Sequence, residues 1–95
     1  MPNSVPLRRI DEEEKCRILL EGNYGTYRVV YRRVKSTNQL VINNYIYDEL
    51  TMVIEPAHTL SARIDGHDFV VGYDGRSCSY FLVDGNEIAK KIRMI

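Results

Sequence analysis

Between Tyr24 and Lys35 the chain interleaves phenol rings with cations: Tyr24, Tyr27, Arg28, Tyr31, Arg32, Arg33 and Lys35. Tyrosine and arginine supply the anchors that dominate protein interfaces. The same mixture stacks bases and neutralises phosphates in single-strand nucleic-acid binders. Tyr45 and Tyr47 extend the aromatic supply, and Tyr24, Tyr45 or Tyr47 could stack on a sugar ring. Tyr24, Tyr27, Arg28, Tyr31, Arg32, Tyr45 and Tyr47 therefore form the candidate binding set.

The other residues with chemical potential read as architecture. Asp65-Gly66, Asp74-Gly75 and Asp84-Gly85 recur at the spacing of a short strand plus its turn. A calcium loop needs several carboxylates converging within about a dozen residues, as in Asp-x-Asp-x-Asp-Gly, and no such run occurs. Asp-Gly instead suits type I′ hairpins, whose central positions both take positive φ. His58 and His67 fall at the two ends of one expected strand, a poor start for a two-histidine metal site. Asp65, His67 and Asp68 read as a solvated turn, and Cys16 and Cys78 as two reduced thiols rather than a disulfide. No catalytic residue, metal or cofactor is expected, and the chain reads as a non-enzyme.

Positioning these groups falls to strands. From residue 15 onward the apolar period is two. Cys16, Ile18 and Leu20 share a face, as do Tyr27, Val29 and Tyr31, with Arg28, Val30 and Arg32 opposite. Leu60, Ala62 and Ile64 point inward, as do Phe69, Val71 and Tyr73, while "CSYFLV" is apolar on both faces. Turn signals separate the runs, Asn43-Asn44 and the Asp-Gly pairs being the tightest. Residues 28–44 lie over 69–85 without a gap, and a one-residue shift after that hairpin sets Ile46, Leu50 and Met52 on Ile88, Ile92 and Met94. The pattern predicts an all-β, antiparallel β-sandwich of about eight short strands, built as two four-stranded meanders joined near Glu55-Pro56-Ala57. A small β-barrel is the alternative.

Residues 1–14, with two prolines and the charge run "DEEE", read as a flexible N-terminal arm before a single domain over 15–95. Thirteen basic residues balance thirteen acidic ones, so no net field draws the chain to nucleic acid or an anionic membrane. Its apolar runs are too short for a membrane span or a signal peptide, which makes a cytoplasmic location the expectation.

"TYRVVYRRVKSTNQLVINNYIYDE" and "HTLSARIDGHDFVVGYDGRSCSYFLVDGNEIAKKI" resemble the two units of the Fas apoptotic inhibitory molecule proteins, down to the "LVDGNEI" hairpin. The resemblance spans residues 16–94. Asn43-Asn44 replaces that family's first Asp-Gly, and its tryptophans are missing. The resemblance implies a compact, non-enzymatic β-sandwich acting through protein contacts.

Tyr45, Ile46, Tyr47, Leu50, Met52, Val53 and Ile54 are more apolar groups than one sheet face can hide. Either both faces of that strand are covered or part of it meets a partner. With the matching surplus at Ile92, Met94 and Ile95, this suggests edge strands that pair with a second copy, as a homodimer. The leading expectation is a protein-binding module whose partner is another protein or itself, using an edge strand and the Tyr/Arg surface. A small-ligand or carbohydrate module comes second. Single-stranded nucleic-acid binding through the Arg28–Lys35 strand comes third, weakened by the neutral charge balance.

Overall fold

The computed structural model describes residues 3–93, in which every regular element is a strand. They are β1 (Arg8–Arg9), β2 (Arg17–Tyr24), β3 (Tyr27–Val34), β4 (Thr37–Ile42), β5 (Tyr45–Thr51), β6 (His58–Ile64), β7 (His67–Tyr73), β8 (Cys78–Val83) and β9 (Asn86–Ile92). Two antiparallel sheets result, ordered β1-β5-β4-β3-β2 and β6-β7-β8-β9. The chain is the expected β-sandwich of two meanders, with β2 stacked over β8 and β9 and β5 over β6. The strand beyond the expected eight is β1, contributed by the N-terminal arm. Met94 and Ile95, expected to carry part of the C-terminal apolar surplus, lie outside the described residues.

The hairpins form where residues tolerate positive φ. Asn43 and Asn44 (φ 51° and 70°), Asp65 and Gly66 (51° and 79°) and Asp84 and Gly85 (51° and 83°) each occupy both central positions of a two-residue turn. Asp74 works differently: its Oδ1 accepts the backbone N–H of Arg76, Ser77 and Cys78, at 2.8, 3.0 and 3.1 Å. Those bonds, led by that from Cys78, hold its carboxyl below the usual range. Asp84 accepts the Asp68 N–H at 2.8 Å and faces His67 Nδ1 at 2.7 Å. The acidic residues are therefore occupied in closing turns at alternating ends of one meander. Among the described residues no group of three His, Cys, Asp or Glu is placed to hold a metal.

Strand pairing repeats between the halves. Leu20 faces Tyr31 as Leu60 faces Val71, a separation of 40 residues. Leu40 faces Tyr31 as Phe81 faces Val71, and here Leu40 and Phe81 are 41 residues apart. The extra residue thus sits in the β7–β8 turn, not after the second hairpin, where the sequence alignment placed it. From β4 and β8 onward the halves match without a shift. Both carry a bulge at the same point, so that Tyr47 and Ile88 are the unpaired residues.

Leu20, Val29, Tyr31, Leu40, Ile42, Leu60, Ala62, Phe69, Val71, Phe81 and Val83 form the core between the sheets. A bulge between Ile18 and Leu20 breaks the expected alternation in β2: Leu19 and Leu20 are both buried, while Ile18 is exposed. Cys16 precedes this strand rather than belonging to it, and is exposed, whereas Cys78 is buried; both are free thiols. Tyr80 and Leu82, on the second face of β8, are only half-buried.

Candidate functional site

The two lateral edges of the sandwich differ. On the β5–β6 side the N-terminal segment runs along both sheets. The Ser4 N–H donates to the Arg63 carbonyl at 2.7 Å, and the Arg63 N–H returns to Ser4 Oγ at 2.8 Å. Asp65 N–H donates to Asn3 Oδ1 at 3.0 Å. Leu7 N–H then reaches the Ile46 carbonyl at 2.7 Å, and Ile10 N–H the Asn44 carbonyl at 3.0 Å. Beyond the edge, the segment lies on the outer face of the five-stranded sheet. Arg8 grips Glu49 with two 2.9 Å bonds, Gln39 donates to Glu49 at 3.1 Å, Arg32 Nε donates to Gln39 at 2.8 Å, and Arg32 pairs with Glu14 at 3.5 Å. Val41 and Ile46 are buried on this face, apart from the inter-sheet core. Of the apolar surplus around β5, Ile46 is buried and Tyr47 and Met52 are half-buried, while Tyr45, Leu50, Val53 and Ile54 stay exposed; the β5 edge itself is occupied by β1.

On the opposite side β2 and β9 end their sheets, with no further strand paired to either among the described residues. Gly22 brings them close: a β-carbon there would meet the Phe81 ring at 2.8 Å and Ala89 Cβ at 3.5 Å. Between the two edges opens a groove of about 220 Å³, lined by Arg17, Ile18, Leu19, Lys91, Ile92 and Arg93. An adjoining shallow depression is walled by Lys15, Cys16, Arg17, Arg33 and Lys35. Ile18, Ile88 and Ile92 are exposed along this side.

The candidate Tyr/Arg residues do not form one surface. Tyr31 and Arg32 are buried, at 0% and 4% exposure, Tyr31 within the core and Arg32 beneath Glu14 on the outer face. Tyr24, Tyr27 and Tyr47 are half-buried and pack on the core, Tyr24 and Tyr27 with their rings edge-on to Phe69. Tyr27 also hydrogen-bonds Asp65, which raises its phenol pKa. Arg28 is exposed beside Glu21 at 3.6 Å, and Tyr45 is exposed with the Arg9 guanidinium 5.9 Å from its ring centre. A groove of about 390 Å³ on the outer face includes Arg28 and Arg32, but none of the tyrosines lines it.

A polar seam that the sequence reading missed closes one end of the sandwich. Arg33 donates to Asn38 Oδ1 at 2.7 Å and to the Met52 carbonyl at 2.8 Å. Asn38 Nδ2 donates to the Tyr31 hydroxyl and to Glu55, both at 3.0 Å. The Tyr31 hydroxyl meets His58 Nε2, while His58 Nδ1 faces the Pro56 carbonyl at 2.8 Å and so carries the proton. Arg93 donates to Glu55 at 2.8 Å and to Ser79 Oγ at 2.9 Å, with its guanidinium 3.8 Å over the Tyr73 ring. Burial pushes the Glu55 carboxyl up, but hydrogen bonds from Asn38 and Arg93 and the charge of both arginines outweigh it, leaving it below its ordinary value. The residues come from β3, β4, β8 and both termini of the second sheet, so no local pattern announced them. His58 and His67 sit at opposite ends of the β6–β7 hairpin. Among the described residues no helix is long and apolar enough to cross a membrane. Comparison with protein-family models, with curated proteins and with solved structures found no match to this chain.

Proposed function

We propose that the protein is a non-catalytic binding module that captures an extended segment of another protein along the β2/β9 side. The observation carrying this is the asymmetry of the edges: the N-terminal segment occupies the β5–β6 side, while β2 and β9 lie side by side with no strand on them among the described residues. An edge strand offers a row of backbone donors and acceptors, and an incoming strand satisfies them by extending the sheet. Exposed Ile18, Ile88 and Ile92 give such a strand apolar contacts. Lys90 and Lys91 place two charges on the β9 edge strand, the kind of residue that blunts self-association of an edge; this sets a foreign segment ahead of a homodimer. The resemblance to the Fas apoptotic inhibitory molecule proteins points to the same class of role.

The test is selection of binders from a random peptide display library, followed by amide hydrogen exchange of the chain with and without the winning peptides. Slowed exchange concentrated in β2 and β9 is the expected result. Recovery of no peptide, or protection confined to the β5–β6 side or the outer-face groove, would sink the reading.

A further inference from the structure

We infer that the groove between β2 and β9 reads an acidic side chain, so that the captured segment carries a carboxylate beside an apolar residue. This rests on the edge-capture reading and adds its partner chemistry. Of the six residues lining the groove, Arg17, Lys91 and Arg93 are cationic, Ile18, Leu19 and Ile92 are apolar, and none is acidic. The adjoining depression adds Lys15, Arg33 and Lys35, again without a carboxylate. Among the described residues Glu55 is the one carboxylate that meets this group, from within the seam, and it is shared by two guanidiniums, 2.8 Å from Arg93 and 3.8 Å from Arg33. One carboxylate between two arginines leaves the site positive before Arg17 and Lys91 are counted.

Arg93 is fixed at the inner end of the groove: its Nε and Nη1 are taken by Ser79 and Glu55, its guanidinium rests on the Tyr73 ring, and its side chain is 12% exposed. The three apolar residues exclude water around the anion and take the neighbouring aliphatic side chain.

The experiment uses the peptides recovered by display, each remade with its acidic residues changed singly to glutamine. Affinities are measured by titration calorimetry on the natural chain and on R17Q and K91Q; both positions are at the surface, outside the polar seam. The inference expects Asp or Glu in the selected consensus and about tenfold weaker binding of one glutamine-substituted peptide. It also expects that preference to shrink several-fold in R17Q and K91Q, and to fall with added salt. A neutral or basic consensus, equal affinity of both peptide forms, or an undiminished preference in both variants overturns the inference while leaving edge capture standing. Failure to recover any peptide that protects β2 or β9 overturns both.

Discussion

Gly22 offers the sharpest test of how the open side is built. Its φ lies outside the left-handed region, so an alanine there meets no backbone obstacle, only its neighbours. The new methyl would sit 2.8 Å from Phe81 Cδ2 and 3.2 Å from Cε2. Carbon atoms normally rest about 3.5–4.0 Å apart, so the ring must move by roughly 0.7 Å or more. Phe81 has little room to do so: it is 1% exposed and stacks on Phe69 with ring centres 6.3 Å apart. Overpacking of this kind costs about 1–3 kcal/mol, set against about 0.5–1 kcal/mol gained from a stiffer unfolded chain. G22A should therefore lose about 1 kcal/mol, within a range of about 0–2.5 kcal/mol. In urea, with a slope of about 1–1.5 kcal/mol/M, the midpoint falls by about 1 M. A domain of this size has about 5–14 kcal/mol in total, so the loss is readily measured. The cause is isolated by adding Phe81→Leu, which withdraws the ring: the double variant should be about 1 kcal/mol better than the sum of the single ones. A G22A protein more stable than the natural chain, or strict additivity with Phe81→Leu, would refute the close approach of β2 to β8 and β9.

Two further predictions concern the polar seam and the N-terminal segment. Glu55→Gln should lower stability by about 1–3 kcal/mol at neutral pH, because two nearly buried arginines lose their shared counter-charge. The folded carboxyl lies below its ordinary value of 4.5, so the advantage of the natural chain is fully present above that pH and is lost as pH falls from there through the lower folded value. Thermal melts at falling pH should show the gap between the two proteins constant above 4.5 and narrowing below it; a gap that already closes above that pH, or that widens in acid, would contradict the linkage. Deleting residues 1–10 should expose the β5 edge and the apolar patch at Val41 and Ile46, costing about 2–4 kcal/mol. Light scattering should then show mass rising with concentration beyond that of the full chain, whereas an unchanged mass and melting temperature would count against the sealing role.

Much of the sandwich was legible locally. Period-two alternation placed β3, β6 and β7 with the correct faces, because a side chain's direction in a strand depends only on its own parity. The hairpins at Asn43-Asn44, Asp65-Gly66 and Asp84-Gly85 were readable because few residues accept positive φ at low cost. Bulges were not, since an extra residue shows only once the partner strand is known; hence the misread phase at Ile18 and Leu19. The shift between the halves was misplaced because the extra residue lies in the β7–β8 turn, where no strand alternation marks it. Arg32 was read as a candidate contact residue because alternation reports which face a side chain takes, not what lies over that face. Glu14, Gln39 and the N-terminal segment cover it.

The sequence by itself determined the strands, their turns and the two-meander plan, all of which follow from backbone preferences over a few residues. Only the tertiary structure decided which edges stay unpaired and which cations share a groove. Arg17 opens β2 and Arg93 follows the end of β9, far apart in the chain, and Glu55 reaches both Arg33 and Arg93 across the gap between the sheets. Such meetings are set by how two sheets stack, a long-range packing outcome that no short window of residues encodes.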